Sequence, residues 1–197
     1  WIRSLQLEFD SVLFCLEHTG IYGLPVLNFL TKKGAFVWVE MAIQIIKSSG
    51  IQRGKNDKVD AKRIAQYAYR YQDNRKSFSL PSENQTAIND LMSTRDRLIA
   101  ARNMLVVPAR EFDSVHEYNR SKRILKSGHH TLKGLEKDIS EIERQVEELV
   151  KKDEAVNKNV ALVTSIPGIG KWTALALILA TNNFNRKMTS RQLACYC

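Results

Sequence analysis

Between Ser82 and Ser127 the chain has no glycine and a single proline, Pro108. A stretch that long without backbone-loosening residues favours extended helices over short strands and tight turns. Ser82, with Glu83 and Gln85 behind it, supplies the capping chemistry of a helix start. Pro108 is expected to kink or break that helix, and Ser127-Gly128 to break or loosen the next. From Leu132 the apolar positions run Leu135, Ile139, Ile142, Val146 and Leu149, spacings of three and four with Glu and Lys on the flanks. Two such helices joined by a turn make an antiparallel coiled-coil arm. The same seam suits either an intramolecular hairpin or pairing with a second subunit, so a homo-oligomer joined through the arm is one expectation.

The first part of the chain has a different texture. Val12–Leu16 and Ala35–Val39 read as buried strands, with a helix around Leu24–Leu30 and the turn Lys32-Lys33-Gly34 between them. A helix over Met41–Lys47, the linker Ser48-Ser49-Gly50 and a helix opening near Asp57 follow, an α/β pattern. The spacing in this last helix predicts that Ile64, Ala65, Ala68 and Tyr71 turn inward and that Lys58, Lys62 and Arg70 face solvent. Tyr67, Tyr69 and Tyr71 suit base stacking or, more commonly, packing.

Three acids stand out against this background. Asp57 and Asp60, three positions apart, share one face of the helix start, and Glu17 ends the first strand. Carboxylates converging in this way hold a hard divalent cation, and the flanking Arg53, Lys55, Lys58, Lys62 and Arg63 suit a phosphate backbone. The plainer reading of the Asp pair is helix capping and dipole complementation, and of Glu17 a solvated strand end.

A formal charge of +9, from 30 basic and 21 acidic residues, favours polyanionic partners, nucleic acid first. No apolar run is long enough to span a bilayer, which excludes a membrane span, and no membrane partner is expected. Cys15, Cys195 and Cys197 are odd in number and neither Cys195-x-Cys197 nor His129-His130 has a zinc-like spacing, so reduced thiols in a cytoplasmic protein are expected. A start at Trp1 and a stop inside the helix Ser190–Tyr196 suggest a fragment of a longer protein.

Near the far end, Ile166-Pro167-Gly168-Ile169-Gly170-Lys171 precedes a helix-forming run. That is the pattern of a helix-hairpin-helix, whose turn offers backbone N–H groups to a phosphate; Gly168, Gly170 and Lys171 are its candidate contacts. The plainer reading is a glycine-containing turn between two helices. A nucleotide-binding P-loop is excluded, because Ser165 stands where that motif needs Gly and Trp172 where it needs Ser or Thr.

Cys15-Leu-Glu17-His-Thr19-Gly20-Ile-Tyr22, Lys55-Asn-Asp57-Lys-Val-Asp60-Ala61 and Ile166-Pro-Gly-Ile-Gly170, in this order with a helical arm between, resemble the insertion-sequence 110 family of transposases. The resemblance covers essentially the whole chain, and the ordered set is more specific than any one motif. It implies a ribonuclease-H-like (RuvC-like) domain with an Asp-Glu-Asp-Asp set that binds Mg2+, Glu17, Asp57 and Asp60 matching the second, third and fourth acids. It also implies a nucleophilic serine in a C-terminal domain, recombination of DNA, and a guide RNA that chooses the DNA partners. Neither the first acid, expected on an opening strand, nor that serine has a match here, so the expectation for this stretch is nucleic-acid binding without recombination. The organisation that follows is a partial ribonuclease-H-like domain over 1–80, a helical coiled-coil arm over 81–158, and the start of a C-terminal helix-hairpin-helix-like domain over 159–197. The expected setting is the bacterial or archaeal cytoplasm, with nucleoid association. The competing readings are a resolvase-like junction nuclease without serine chemistry and a non-enzymatic nucleic-acid-binding or assembly module.

Overall fold

The computed structural model describes residues 4, 8–50, 56–185 and 188–196, and the chain divides into two units, 1–80 and 81–197. In the first, strand β1 (Leu13–Glu17) leads through a single 3-10 turn into helix α1 (Leu24–Lys32), then strand β2 (Phe36–Glu40). The strands are parallel, with Leu13 beside Phe36 and Glu17 beside Glu40. Parallel pairing requires a crossover, and α1 supplies it. Gly34 ends that helix at φ 71°, a left-handed backbone that a Cβ disfavours, so the Lys32-Lys33-Gly34 turn reverses the chain where the sequence expects it.

Alternation along the strands gives the small sheet two unlike faces. Phe14, Leu16, Val37 and Val39 pack with Leu27 and Leu30 of α1 and with Phe9, Phe29 and Phe78. Cys15, Glu17, Trp38 and Glu40 lie on the other face, where helices α2 (Ala42–Ser49) and α3 (Asp57–Arg70) follow and α3 packs against β1. The inward stripe of α3 is Arg63, Ile64, Tyr67 and Ala68, whereas Ala65 and Tyr71 are exposed. The expectation that those two turn inward is therefore corrected. Tyr67 takes the inward place because its ring packs at a tilt against Trp38, 5.3 Å between centroids, and the exposed Tyr71 ring lies 4.9 Å from that of Tyr67.

The second unit is all helical among its described residues. Helix α4 (Glu83–Ser114) starts on a capping box in which the Ser82 hydroxyl accepts from the Gln85 N–H and the Gln85 side chain accepts from the Ser82 N–H. It runs through Pro108 without ending there, and the carbonyl that proline leaves unpaired belongs to the exposed Met104. Helices α5 (Tyr118–Ser127) and α6 (His129–Lys152) return, parted at Gly128. Asn84 meets Leu149, and Arg95 meets Glu143, so residue numbers fall on α6 as they rise on α4 and the two form an antiparallel hairpin. Helices α7 (Glu154–Thr164) and α8 (Lys171–Ala180) complete one core of Ile88, Met92, Val146, Val150, Val156, Val160, Leu175 and Ile178. Helix α9 (Ser190–Tyr196) closes the described chain. No helix among the described residues is long and apolar enough to cross a membrane.

Candidate nucleic-acid-processing site

Two parallel strands that end together bring two acids to one end of the small sheet. Glu17 and Glu40 close β1 and β2 in register. The Glu40 carboxylate accepts from the Met41 N–H at 2.9 Å and from the Tyr67 hydroxyl at 3.2 Å. Burial first, and Glu40 beside it second, raise the Tyr67 hydroxyl well above its ordinary pKa. The same causes, in the same order, push the half-buried Cys15 thiol up to about 11. Cys15 is thus a neutral thiol at physiological pH, in keeping with a structural role. The side chains of Cys195 and Cys197 lie outside the described residues.

Asp57 and Asp60 occupy the first turn of α3, but neither caps it: Asn56 does, its side chain accepting from the Lys58 N–H at 2.9 Å. The two acids are therefore not consumed by the helix start. Asp57 is exposed, while Asp60 accepts from Arg63 Nη1 at 2.6 Å. Arg63, a candidate phosphate contact, turns along its own helix to Asp60, and its buried Nε has no hydrogen-bond partner. Lys58 and Lys62 are exposed; Arg53 and Lys55 lie outside the described residues.

Carboxylate oxygens suit a hard divalent cation chemically. Their placement here does not: among the described residues no three His, Cys, Asp or Glu side chains come together as a metal requires, and Glu17 does not join the Asp57–Asp60 pair in such a group. Sequence reasoning missed Glu40. Its signal was the one used for Glu17, an acid directly after an apolar strand.

In the helical unit, α7 and α8 pack together and are joined by the turn 165–170. The Ile169 N–H donates to the Ile166 carbonyl at 3.1 Å, and Gly168 sits at φ 89°, which calls for glycine although a Cβ there would meet open space. Gly170, at φ −80°, caps α8 in a conformation open to any residue, again with open space around a Cβ. Lys171 bonds Glu147 of α6 at 2.5 Å and lies 5.7 Å from the Trp172 ring centroid, so it serves as an internal tie.

A transposase family model of the DEDD IS110 type matches residues 1–112, more than half of the chain, and that of the IS116/IS110/IS902 transposase family matches residues 160–197. The chain belongs to the IS110 family of transposases. The first match takes in all three acids together with the sheet and α3, and the second takes in the α7–α8 turn. A pilin gene-inverting protein from Moraxella bovis is 23% identical over 199 residues, a match covering 100% of this chain and 58% of that relative. The chain thus spans less than two thirds of the length of the curated relative it matches. The small parallel sheet with a helical crossover is compatible with part of a ribonuclease-H-like domain.

Proposed function

We propose that this chain is the DNA-binding and acid-bearing part of an insertion-sequence transposase. Glu17, Asp57 and Asp60 are its catalytic acids, and Lys58 and Lys62, with Arg53 and Lys55 before them, are phosphate contacts. The observation that carries the reading is the uncapped Asp pair opening α3 against the β1 strand that ends in Glu17, inside the family-matched span. Charge of +9 supports a polyanionic partner. A guide RNA is a further partner on the same phosphate chemistry, and the helical arm, with Met104, Leu105 and Val107 exposed along α4, is where copies of the chain associate.

The α7–α8 turn is a second phosphate contact. Nothing in the fold requires glycine at position 170, whereas close approach of a phosphate to the α8 N-terminus does. Lys171 contributes there only after giving up Glu147.

Magnesium is the ion this acid set would take, which requires Glu17 to join the Asp57–Asp60 pair and Asp60 to exchange Arg63 for the ion. Titrating the chain with Mg2+ while following backbone amide shifts by NMR tests the acidic site. The expected result is saturable shifts at Glu17, Asp57 and Asp60 that disappear in Asp57→Asn/Asp60→Asn; the absence of shifts in the parent chain overturns the metal assignment. Duplex DNA binding measured by fluorescence anisotropy tests the rest. Affinity should fall steeply with added salt, and a chain that does not bind DNA at low salt refutes the reading.

A further inference from the structure

Helix α5 holds four basic residues, Arg120, Lys122, Arg123 and Lys126, and no acid in ten residues. Its packing face is set by Ser121, which is buried, and Leu125, one turn on. At 100° per residue Arg123 and Lys126, with Asn119, fall on the opposite side and Lys122 on the flank beside them, and all four are exposed. Arg120 is otherwise engaged, its guanidinium 4.3 Å from the Phe112 ring centroid.

Elsewhere in the helical unit some cations are tied to acids. Arg144 pairs with Glu141 and Glu148, Arg95 with Glu143 and Lys171 with Glu147. None of the ion pairs among the described residues includes Lys122, Arg123 or Lys126. A solvated helix face normally mixes signs, and like charges one turn apart, as at Lys122 and Lys126, weaken a helix slightly. A polyanion with closely spaced charges reverses that effect. DNA carries a phosphate for every ~3.4 Å of axis on each strand, so cations spread over four residues, about 6 Å of helix axis, meet neighbouring phosphates.

We infer that the outer face of α5 is a docking surface for the backbone of duplex DNA, separate from α3 and from the α7–α8 turn. Lys122, Arg123 and Lys126 contact phosphate and carry no base preference. The inference rests on the DNA-binding reading above and extends it to the helical arm.

The test is the salt dependence of binding of the whole chain to a fluorescent duplex of arbitrary sequence. Lys122→Ala/Arg123→Ala/Lys126→Ala should lower the slope of log affinity against log salt by about 2 to 3, the loss of three phosphate contacts at roughly 0.9 each. Exchanging the same positions between Lys and Arg should leave the slope as in the parent chain, and circular dichroism should match throughout, since the three side chains are exposed. A parent chain that binds DNA with an unchanged slope in the triple Ala variant overturns the α5 inference and leaves the functional reading standing. A parent chain that binds no DNA defeats the functional reading itself. Loss of RNA binding with DNA binding intact also overturns the inference.

Discussion

In the helical unit Arg95 meets Glu143, Lys171 meets Glu147 and Arg144 lies between Glu141 and Glu148. The sheet unit ends two strands with Glu17 and Glu40 side by side, and there a tyrosine hydroxyl and a backbone N–H are what Glu40 finds. The buried material differs as well. Residues from α4, α6, α7 and α8 converge on one large core in the helical unit, while Leu27, Leu30 and Val37 are the buried centre of the sheet unit's cluster. A unit with a broad core and ion pairs tying its helices together is organised for rigidity. One that gathers like charges over a thin core is organised around chemistry, because unmatched carboxylates weaken the fold that carries them.

The most severe way to break this contrast is to hollow the helical core. Leu175 is fully buried against Ile178 and Val146, and Leu175→Ala should cost about 2–5 kcal/mol, read as an earlier far-UV thermal transition. Leu30→Ala, at a site equally buried in the sheet unit, sharpens the comparison. It should disturb the environment of Trp38 before that of Trp172, since the two tryptophans belong to different units. An unmoved far-UV transition in Leu175→Ala would mean that the apparent core does not support the helices.

What was legible in the sequence follows the range of the interactions involved. The Ser82 cap, the Gly34 turn, the Gly128 break and the Ile139–Val146 seam all depend on residues a few positions apart, and all stand where local chemistry puts them. The inward face of α3 was misjudged by about a sixth of a turn because counting apolar residues favours Ala65 over Arg63. Yet a long side chain with a partner at Asp60 and a tyrosine with a partner at Glu40 bury their stems more readily than a small residue reaches the sheet. The tie from Lys171 to Glu147 spans 24 residues of sequence and depends on how α8 lies against α6, which no local pattern encodes. Glu40 was missed for a simpler reason: it follows Val39 as Glu17 follows Leu16, and the rule applied to the first strand was not applied to the second.

A smaller effect separates matched charge from packing within the helical unit. Arg95 joins α4 to Glu143 on α6 through Nε at 2.7 Å, and its guanidinium lies 4.1 Å from the Trp172 ring centroid on α8. Its side chain is 14% exposed and that of Glu143 33%, so solvent weakens the pair only in part. Arg95→Ala should cost about 1–2 kcal/mol, combining a charge-assisted hydrogen bond with a cation–π contact. Arg95→Met, which keeps the stem over Trp172, should recover part of it. Equal losses in the two variants would assign the whole effect to the ion pair and none to the ring.

The smallest effect is the pH dependence of the Lys171–Glu147 tie. The hydrogen bond and charge of Lys171 hold the Glu147 carboxyl below its ordinary value of 4.5. A carboxyl whose folded-state pKa is lowered binds its proton more readily in the unfolded chain, so its stabilising contribution is complete above 4.5 and disappears as pH falls through the lower folded value. Glu147→Gln removes the titrating group. Its deficit relative to the parent chain should be constant at neutral pH and should close in the acid range, measured as paired urea midpoints across pH. Because both side chains are partly solvated, added salt at neutral pH should shrink the same deficit. A deficit that persists unchanged at acid pH would mean that Glu147 holds α6 to α8 by shape rather than by charge, and matched charge would then no longer distinguish the helical unit from the sheet unit at this position.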